Sequence, residues 1–123
     1  MIYEIKVLAG FNAAHRLVEY QGKCENLHGH NWKVEVVISS RQLDKCGMVM
    51  DFRRLKDELN SVLDRLDHTY LNDLPDFKKT NPTSENIASY IYSKLNQLIK
   101  EKRVRLKEVS VWETETSLAR YVA

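Results

Sequence analysis

The chain contains few residues of the types that mark specialised classes of protein. Of its 123 residues, two are cysteines, two are prolines and four are glycines. No apolar run approaches the roughly 20 residues that a membrane-spanning helix needs, and the first residues lack the pattern of a signal peptide. We therefore expect neither a membrane protein nor a disulfide framework, and the low cysteine content favours a cytoplasmic location.

The chain also lacks a strong charge of either sign. Its 19 basic and 17 acidic residues give a formal net charge of +2, which is too small to argue for a nucleic-acid partner. Hydrophobic residues make up 43% and charged residues 29%, which is ordinary for a globular protein. Because we find no repeat, low-complexity tract or linker, we expect residues 1–123 to form one domain.

Three of the four histidines lie close together in the first quarter of the chain. Odd positions from Tyr3 to His15 and even positions from His28 to Ile38 form apolar stripes, which predict two strands with histidines on their core-facing sides. In an antiparallel hairpin, the end of the first strand would lie beside the start of the second, with facing Cβ atoms about 5 Å apart. His30 shares a face with His28. Three such imidazoles predict a metal site, typically zinc with one open position.

Two other interpretations of this segment stay open. In the first, the histidines are structural residues that face the core. This is usual for a single histidine, although three at one end of a hairpin are much harder to explain that way. In the other, Cys24 is the fourth ligand of a closed structural zinc site. A nearby cation also favours the thiolate form of a cysteine, so Cys24 is equally a candidate reactive thiol. Cys46 has no such neighbours, and we interpret it as structural. Arg16 and Lys23 flank the histidine segment and could meet an anionic substrate.

The remainder of the chain predicts two helices and two further strands. Asp51 is a candidate N-cap for a helix that begins at Phe52, and Thr83 or Ser84 can cap a second helix. Helical spacing predicts that the buried residues are Phe52, Leu55, Leu59, Val62, Leu63 and Leu66 in the first helix, and Ile87, Ile91, Leu95, Leu98 and Ile99 in the second. The predicted strands cover about residues 2–15, 28–40, 105–115 and 117–122.

This order of elements predicts an α+β fold of the type β-β-α-α-β-β. Its antiparallel four-stranded sheet would carry both helices on one face. Four strands cannot close a barrel alone, and long exposed edges favour pairing with another chain. We therefore expect a homo-oligomer.

Three further residues are candidates for acid–base chemistry or for ligand binding. Asp67 precedes His68, and an aspartate can orient an imidazole that transfers protons. The alternative is a histidine at a helix C-terminus, favoured by the helix dipole. Glu113 continues the apolar face of Val109 and Val111, where a carboxylate needs hydrogen-bond donors. A ligand with two parallel N–H groups would supply them, unless the strand end simply reaches water.

Seven short motifs together resemble the 6-pyruvoyl-tetrahydropterin synthase and 6-carboxytetrahydropterin synthase family. They are FNAAH at 11–15, CENLHGH at 24–30, GMVMDF at 47–52, LDH at 66–68, YLN at 70–72, NPTSEN at 81–86 and WET at 112–114. They occur in the family's order and cover nearly the whole chain. The resemblance implies the tunnelling fold (T-fold), whose subunits assemble into barrels, commonly hexamers built as dimers of trimers, with active sites between subunits.

The resemblance also implies roles for particular residues. Zinc would be bound by His15, His28 and His30. The catalytic residues would be Cys24 as a proton-transferring thiol, Asp67 and His68 as an acid–base relay across a subunit interface, and Glu113, which would anchor the pterin. Thr83 and Ser84 would line the substrate pocket, and Glu25 would influence which product forms.

The family substrate is 7,8-dihydroneopterin triphosphate, whose side-chain hydroxyls zinc would acidify. Three residues separate Cys24 from the HGH motif, as in the bacterial and archaeal 6-carboxy enzymes of queuosine biosynthesis. Those lyases release acetaldehyde and triphosphate. Relatives with glutamate at the position of Glu25 are associated with 6-hydroxymethyl-dihydropterin formation for folate. A dual-function enzyme, a 6-pyruvoyl synthase and a non-catalytic pterin- or metal-binding module therefore stay open as alternatives.

Overall fold

A computed structural model of the chain describes residues 1–18 and 26–123. Its elements are β1 (Tyr3–His15), β2 (His28–Ser40), α1 (Phe52–Leu63), β3 (Thr69–Tyr70), α2 (Ser84–Leu98), β4 (Val104–Thr114) and β5 (Ser117–Val122). Two short 3₁₀ turns, Leu71–Asp73 and Pro75–Phe77, lie between β3 and α2. Within these described residues, neither α-helix is long and apolar enough to cross a membrane.

The strands form one sheet in the order β3-β1-β2-β4-β5. The four long strands pair antiparallel, which confirms the predicted β-β-α-α-β-β arrangement. The prediction of four strands was incomplete, because β3 adds a fifth strand parallel to β1 at Ala13 and Ala14. Two residues are too few to show the alternation by which a strand is recognised from sequence.

The register of the β1–β2 hairpin is fixed by aromatic packing on its buried face. Phe11 lies opposite Trp32, and their rings stack with centroids 5.8 Å apart. The Trp32 indole Nε1 also donates a hydrogen bond of 3.2 Å to the carbonyl of Ala13. A slip of one residue between the two strands would put these rings on opposite faces of the sheet. This register places His15 directly opposite His28 at the end of the hairpin.

Both helices begin where their capping residues predict. Asp51 accepts a hydrogen bond of 2.8 Å from the backbone N–H of Arg53, and Thr83 accepts one of 3.1 Å from Asn86. The helices pack on one face of the sheet and share one hydrophobic core with it. This core includes Leu55, Leu59, Val62 and Leu63 of α1, Leu66 just after it, and Ile87, Ile91 and Leu95 of α2.

Three predictions of burial or structural role were wrong. Phe52 is 54% exposed and Leu98 is 39% exposed. Each lies in a terminal turn of its helix, and helical spacing alone does not show where the neighbouring layer ends. Cys46, interpreted from sequence as structural, is exposed. It lies in the connection between β2 and α1, where its backbone N–H donates a hydrogen bond of 2.8 Å to the side chain of Asp44.

Candidate metal site

The three clustered histidines meet at the end of the β1–β2 hairpin where residues 16–27 connect the two strands. The Nε2 atoms of His15 and His28 are 3.0 Å apart. The ring of His30 has its centroid 5.2 Å from that of His15 and 4.7 Å from that of His28. His15 is almost fully buried, with 1% of its surface exposed, and its ring packs edge-on against Trp32. The rings therefore converge on one small volume at the edge of the core.

Two of these rings are oriented by backbone carbonyls. Nδ1 of His15 donates to the carbonyl of Pro82 over 2.8 Å, and Nδ1 of His28 donates to the carbonyl of Asn26 over 2.9 Å. A carbonyl can only accept, so in each neutral ring the hydrogen lies on Nδ1 and Nε2 carries a lone pair. Carbonyl partners of this kind are typical of histidines that bind a metal through the other nitrogen.

The carboxylate of Glu113 completes the cluster. Its Oε1 lies 3.1 Å from Nε2 of His15 and 3.2 Å from Nε2 of His30. One ligand atom from each of the four residues lies within 4.8 Å of the others. Electron-rich atoms at this spacing repel one another unless a cation lies between them. In a tetrahedral zinc site, bonds of about 2.0–2.1 Å place neighbouring nitrogens about 3.3 Å apart, close to the observed spacing.

Sequence reasoning placed Glu113 on the correct face but did not predict its contact with the histidines. The carboxylate was interpreted as an anchor for a ligand with two N–H groups. The structure groups it with His15, His28 and His30, which together could hold a metal ion and which we call the metal-binding cluster, while its side chain keeps 34% exposure to solvent. Only the register between β2 and β4, which sequence patterns do not show, brings residue 113 alongside the first hairpin.

Asp67 and His68 are paired, but they lie outside the metal-binding cluster. Asp67 Oδ2 is 3.4 Å from His68 Nε2, and the His68 side chain is 79% exposed. Both residues are hydrogen-bonded to the edge of β1. The backbone N–H of Asn12 donates to Asp67 Oδ1 over 2.8 Å, and the backbone carbonyl of Asn12 accepts a hydrogen bond of 2.6 Å from the N–H of His68. Helix α1 ends at Leu63, so the helix-dipole interpretation of His68 was wrong.

The other predicted site residues fall into two groups. Thr83 and Ser84 lie at the start of α2, directly after Pro82, whose carbonyl orients the ring of His15. The side chain of Thr83 is engaged as the helix cap. Cys24 and Glu25 lie outside the described residues, so their predicted roles stay predictions.

Two asparagines that sequence reasoning left without a role hold the chain that leaves β1. Asn72 accepts from the N–H of Arg16 over 3.0 Å and donates to its carbonyl over 2.9 Å. Asn81 does the same for Val18, with distances of 2.7 and 2.8 Å. The sequence did indicate that these asparagines matter, because both belong to motifs that carry the family resemblance. A side-chain amide offers a donor and an acceptor together, as a neighbouring strand would.

Comparison with known proteins decides the family. The family model described as 6-pyruvoyl tetrahydropterin synthase matches residues 4–123. The chain belongs to the 6-pyruvoyl tetrahydropterin synthase family. That match spans the β1–β2 hairpin and Glu113, so all four members of the metal-binding cluster lie inside the family domain.

The relatives of this chain within the family are named for two different products. A 6-carboxy-5,6,7,8-tetrahydropterin synthase from Synechocystis is 43% identical over 116 residues, which cover 90% of this chain and 86% of the relative. A 6-pyruvoyl tetrahydrobiopterin synthase from Dictyostelium discoideum is 36% identical over 123 residues, covering 90% and 89%. The solved 6-pyruvoyl tetrahydropterin synthase of Caenorhabditis elegans superposes with a TM-score of 0.87 at 34% identity, covering 100% and 96%. This structural similarity confirms the T-fold.

Proposed function

We propose that the protein is a zinc-dependent 6-carboxy-5,6,7,8-tetrahydropterin synthase. With water, it would convert 7,8-dihydroneopterin triphosphate to 6-carboxytetrahydropterin, acetaldehyde and triphosphate. The convergence of three imidazole nitrogens and one carboxylate in a chain of this family carries the proposal. The choice of product is supported by the relative from Synechocystis and by the three-residue spacing between Cys24 and the HGH motif.

Zinc would be held by His15, His28 and His30. The ion would supply Lewis-acid chemistry by acidifying the hydroxyls of the substrate side chain. The protein contributes orientation, since the carbonyls of Pro82 and Asn26 hold two of the rings with Nε2 directed at the site. Burial of His15 excludes water from one side of the site.

Glu113 would bind the pterin ring. A carboxylate accepts two parallel hydrogen bonds, which matches the ring N–H and the amino group of a pterin. Its partial exposure makes it accessible to a ligand, and its position 3.1 Å from His15 Nε2 and 3.2 Å from His30 Nε2 would place the pterin beside the metal. Thr83 and Ser84 would line the same pocket from the start of α2.

Cys24 would transfer a proton to or from the substrate side chain, and the Asp67–His68 pair would move protons elsewhere. Because His68 is exposed and the pair lies outside the cluster, the pair would act on the site of a neighbouring subunit. This arrangement supports assembly as a homohexamer, a dimer of trimers with intersubunit active sites. Participation in queuosine biosynthesis in the cytoplasm belongs to the same proposal.

Product analysis by mass spectrometry tests the proposed reaction. Zinc-loaded protein incubated with 7,8-dihydroneopterin triphosphate should yield acetaldehyde and 6-carboxytetrahydropterin. A 6-pyruvoyl product without acetaldehyde would instead favour 6-pyruvoyl synthase activity, and complete inertness would favour a non-catalytic module. If Glu25 supports a second, folate-type activity, Glu25→Ala should lose 6-hydroxymethyl-dihydropterin and keep the main product. Retention of all hydroxymethyl product would remove Glu25 from that role.

Replacement of Glu113 by glutamine separates pterin binding from metal binding. Glutamine keeps the shape of the side chain but removes the charge that strengthens the hydrogen bonds, so kcat/KM should fall about 10- to 100-fold. The zinc content should stay at the wild-type level when it is measured by inductively coupled plasma mass spectrometry. Glu115→Gln, in the exposed turn between β4 and β5, is the matched control. Loss of zinc in Glu113→Gln would show that the carboxylate is a metal ligand instead.

A further inference from the structure

A cavity of about 540 Å³ lies beside the metal-binding cluster and has no role in the proposal above. One wall is the chain that leaves β1 at residues 16–18, and the other is the segment between β3 and α2. Its polar lining residues include Arg16, Asn72, Lys78, Lys79 and Asn81. We refer to it as the basic cavity.

The basic cavity begins one residue away from the metal-binding cluster on both of its walls. Arg16 directly follows His15, and Asn81 directly precedes Pro82, whose carbonyl accepts the hydrogen bond from the His15 ring. Both walls of the cavity therefore continue directly into residues at the metal-binding cluster.

The charge of the basic cavity is positive. Arg16, Lys78 and Lys79 contribute three cations, against one carboxylate from Asp73. None of these three cations forms an ion pair with any residue in the described ranges 1–18 and 26–123. Cations brought together without partner carboxylates favour a multiply charged anion.

The walls of the basic cavity are held in place before any ligand binds. Four hydrogen bonds from Asn72 and Asn81 fix the backbone of Arg16 and Val18. Phe77, which lines the opposite wall, is buried and packs against Tyr90 with ring centroids 5.6 Å apart. A preformed site loses less conformational entropy when a flexible ligand binds.

We propose that the basic cavity binds the triphosphate of the substrate, with Arg16, Lys78 and Lys79 as its cationic ligands. The inference rests on the proposed function, since it identifies the residues of this chain that would bind the charged end of that substrate. The pterin ring would lie at Glu113, the hydroxylated side chain at the histidines, and the phosphates beyond His15. Guanidinium and ammonium groups are the usual partners of phosphate oxygens, and the cavity is large enough for a polyphosphate.

Binding of inorganic tripolyphosphate tests this assignment without any turnover. Isothermal titration calorimetry of the zinc-loaded protein should show binding, and the double variant Lys78→Ala/Lys79→Ala should raise Kd about 10-fold or more. The matched control is Lys100→Ala/Lys102→Ala, which removes the same charge from exposed positions between α2 and β4. Zinc content is measured afterwards in each sample, because tripolyphosphate chelates metals.

The possible outcomes separate this inference from the proposed function. Equal Kd values in the wild type and both double variants, or no binding to the wild type, would overturn the assignment. An equal loss in both double variants would also overturn it, by showing a general charge effect. If the protein proves inert toward the full substrate, weakened tripolyphosphate binding in Lys78→Ala/Lys79→Ala alone would still establish the anion site. If turnover is observed, the KM for dihydroneopterin triphosphate should rise by a similar factor.

Discussion

Replacing His15 by glutamine is expected to remove zinc from the protein and to lower turnover by at least about 1,000-fold. His15 lies close to two other members of the cluster, with its Nε2 atom 3.0 Å from Nε2 of His28 and 3.1 Å from Oε1 of Glu113. Changes to the partners of metal ligands already cost about 10- to 100-fold in affinity, and loss of a ligand itself should cost more. Without the ion, the substrate hydroxyls lose their Lewis acid.

Zinc per chain after dialysis, and acetaldehyde released per minute, are the two measurements. His68→Gln is the matched control, because this ring is 79% exposed and lies outside the cluster, so zinc should stay at the wild-type level. His15 is buried and its replacement could disturb folding, so the less buried His30→Gln is measured alongside it, with circular dichroism on all variants. Full zinc content in folded His15→Gln and His30→Gln would contradict the proposed ligand set.

The hairpin and its histidines were predictable because the relevant pattern is local. A strand alternates its faces residue by residue, so His15 could be placed on the buried side of β1 from the apolar residues before it. The same reasoning gave the parity of His28 and His30. Antiparallel pairing then required only the assumption that consecutive strands are neighbours, which the observed register bears out.

The remaining features depend on contacts between distant parts of the chain. Glu113 reaches the histidines through the pairing of β2 with β4. The register of β4 is irregular in its pairings with both β2 and β5, and the alternation of apolar and polar residues does not predict such irregularities. Asn72 and Asn81 each bond to backbone more than 50 residues away, through atoms that any exposed asparagine also offers. Their positions in family motifs indicated importance, whereas their role became clear only from the folded structure.

Replacing Cys24 by alanine is expected to keep the bound zinc and to lower turnover by about 100- to 10,000-fold, the usual contribution of a general acid or base. Residues 19–25 are outside the described part of the structure, but hydrogen bonds hold the residues on either side of this segment near the candidate metal ligands. Before it, Val18 is held by Asn81. After it, the carbonyl of Asn26 accepts the hydrogen bond from His28. These anchors support action of the Cys24 thiol at the metal site.

The decisive measurement for Cys24 is metal content together with turnover. Cys46→Ala is the matched control, since this cysteine is exposed in the connection between β2 and α1 and should change neither quantity. If Cys24→Ala loses both zinc and activity, the cysteine is a ligand, and the closed structural site becomes the better description. Substitution with cobalt gives independent evidence, because a thiolate ligand produces a charge-transfer band in the wild-type spectrum. We expect no such band, since the imidazoles of His15, His28 and His30 already converge without sulfur.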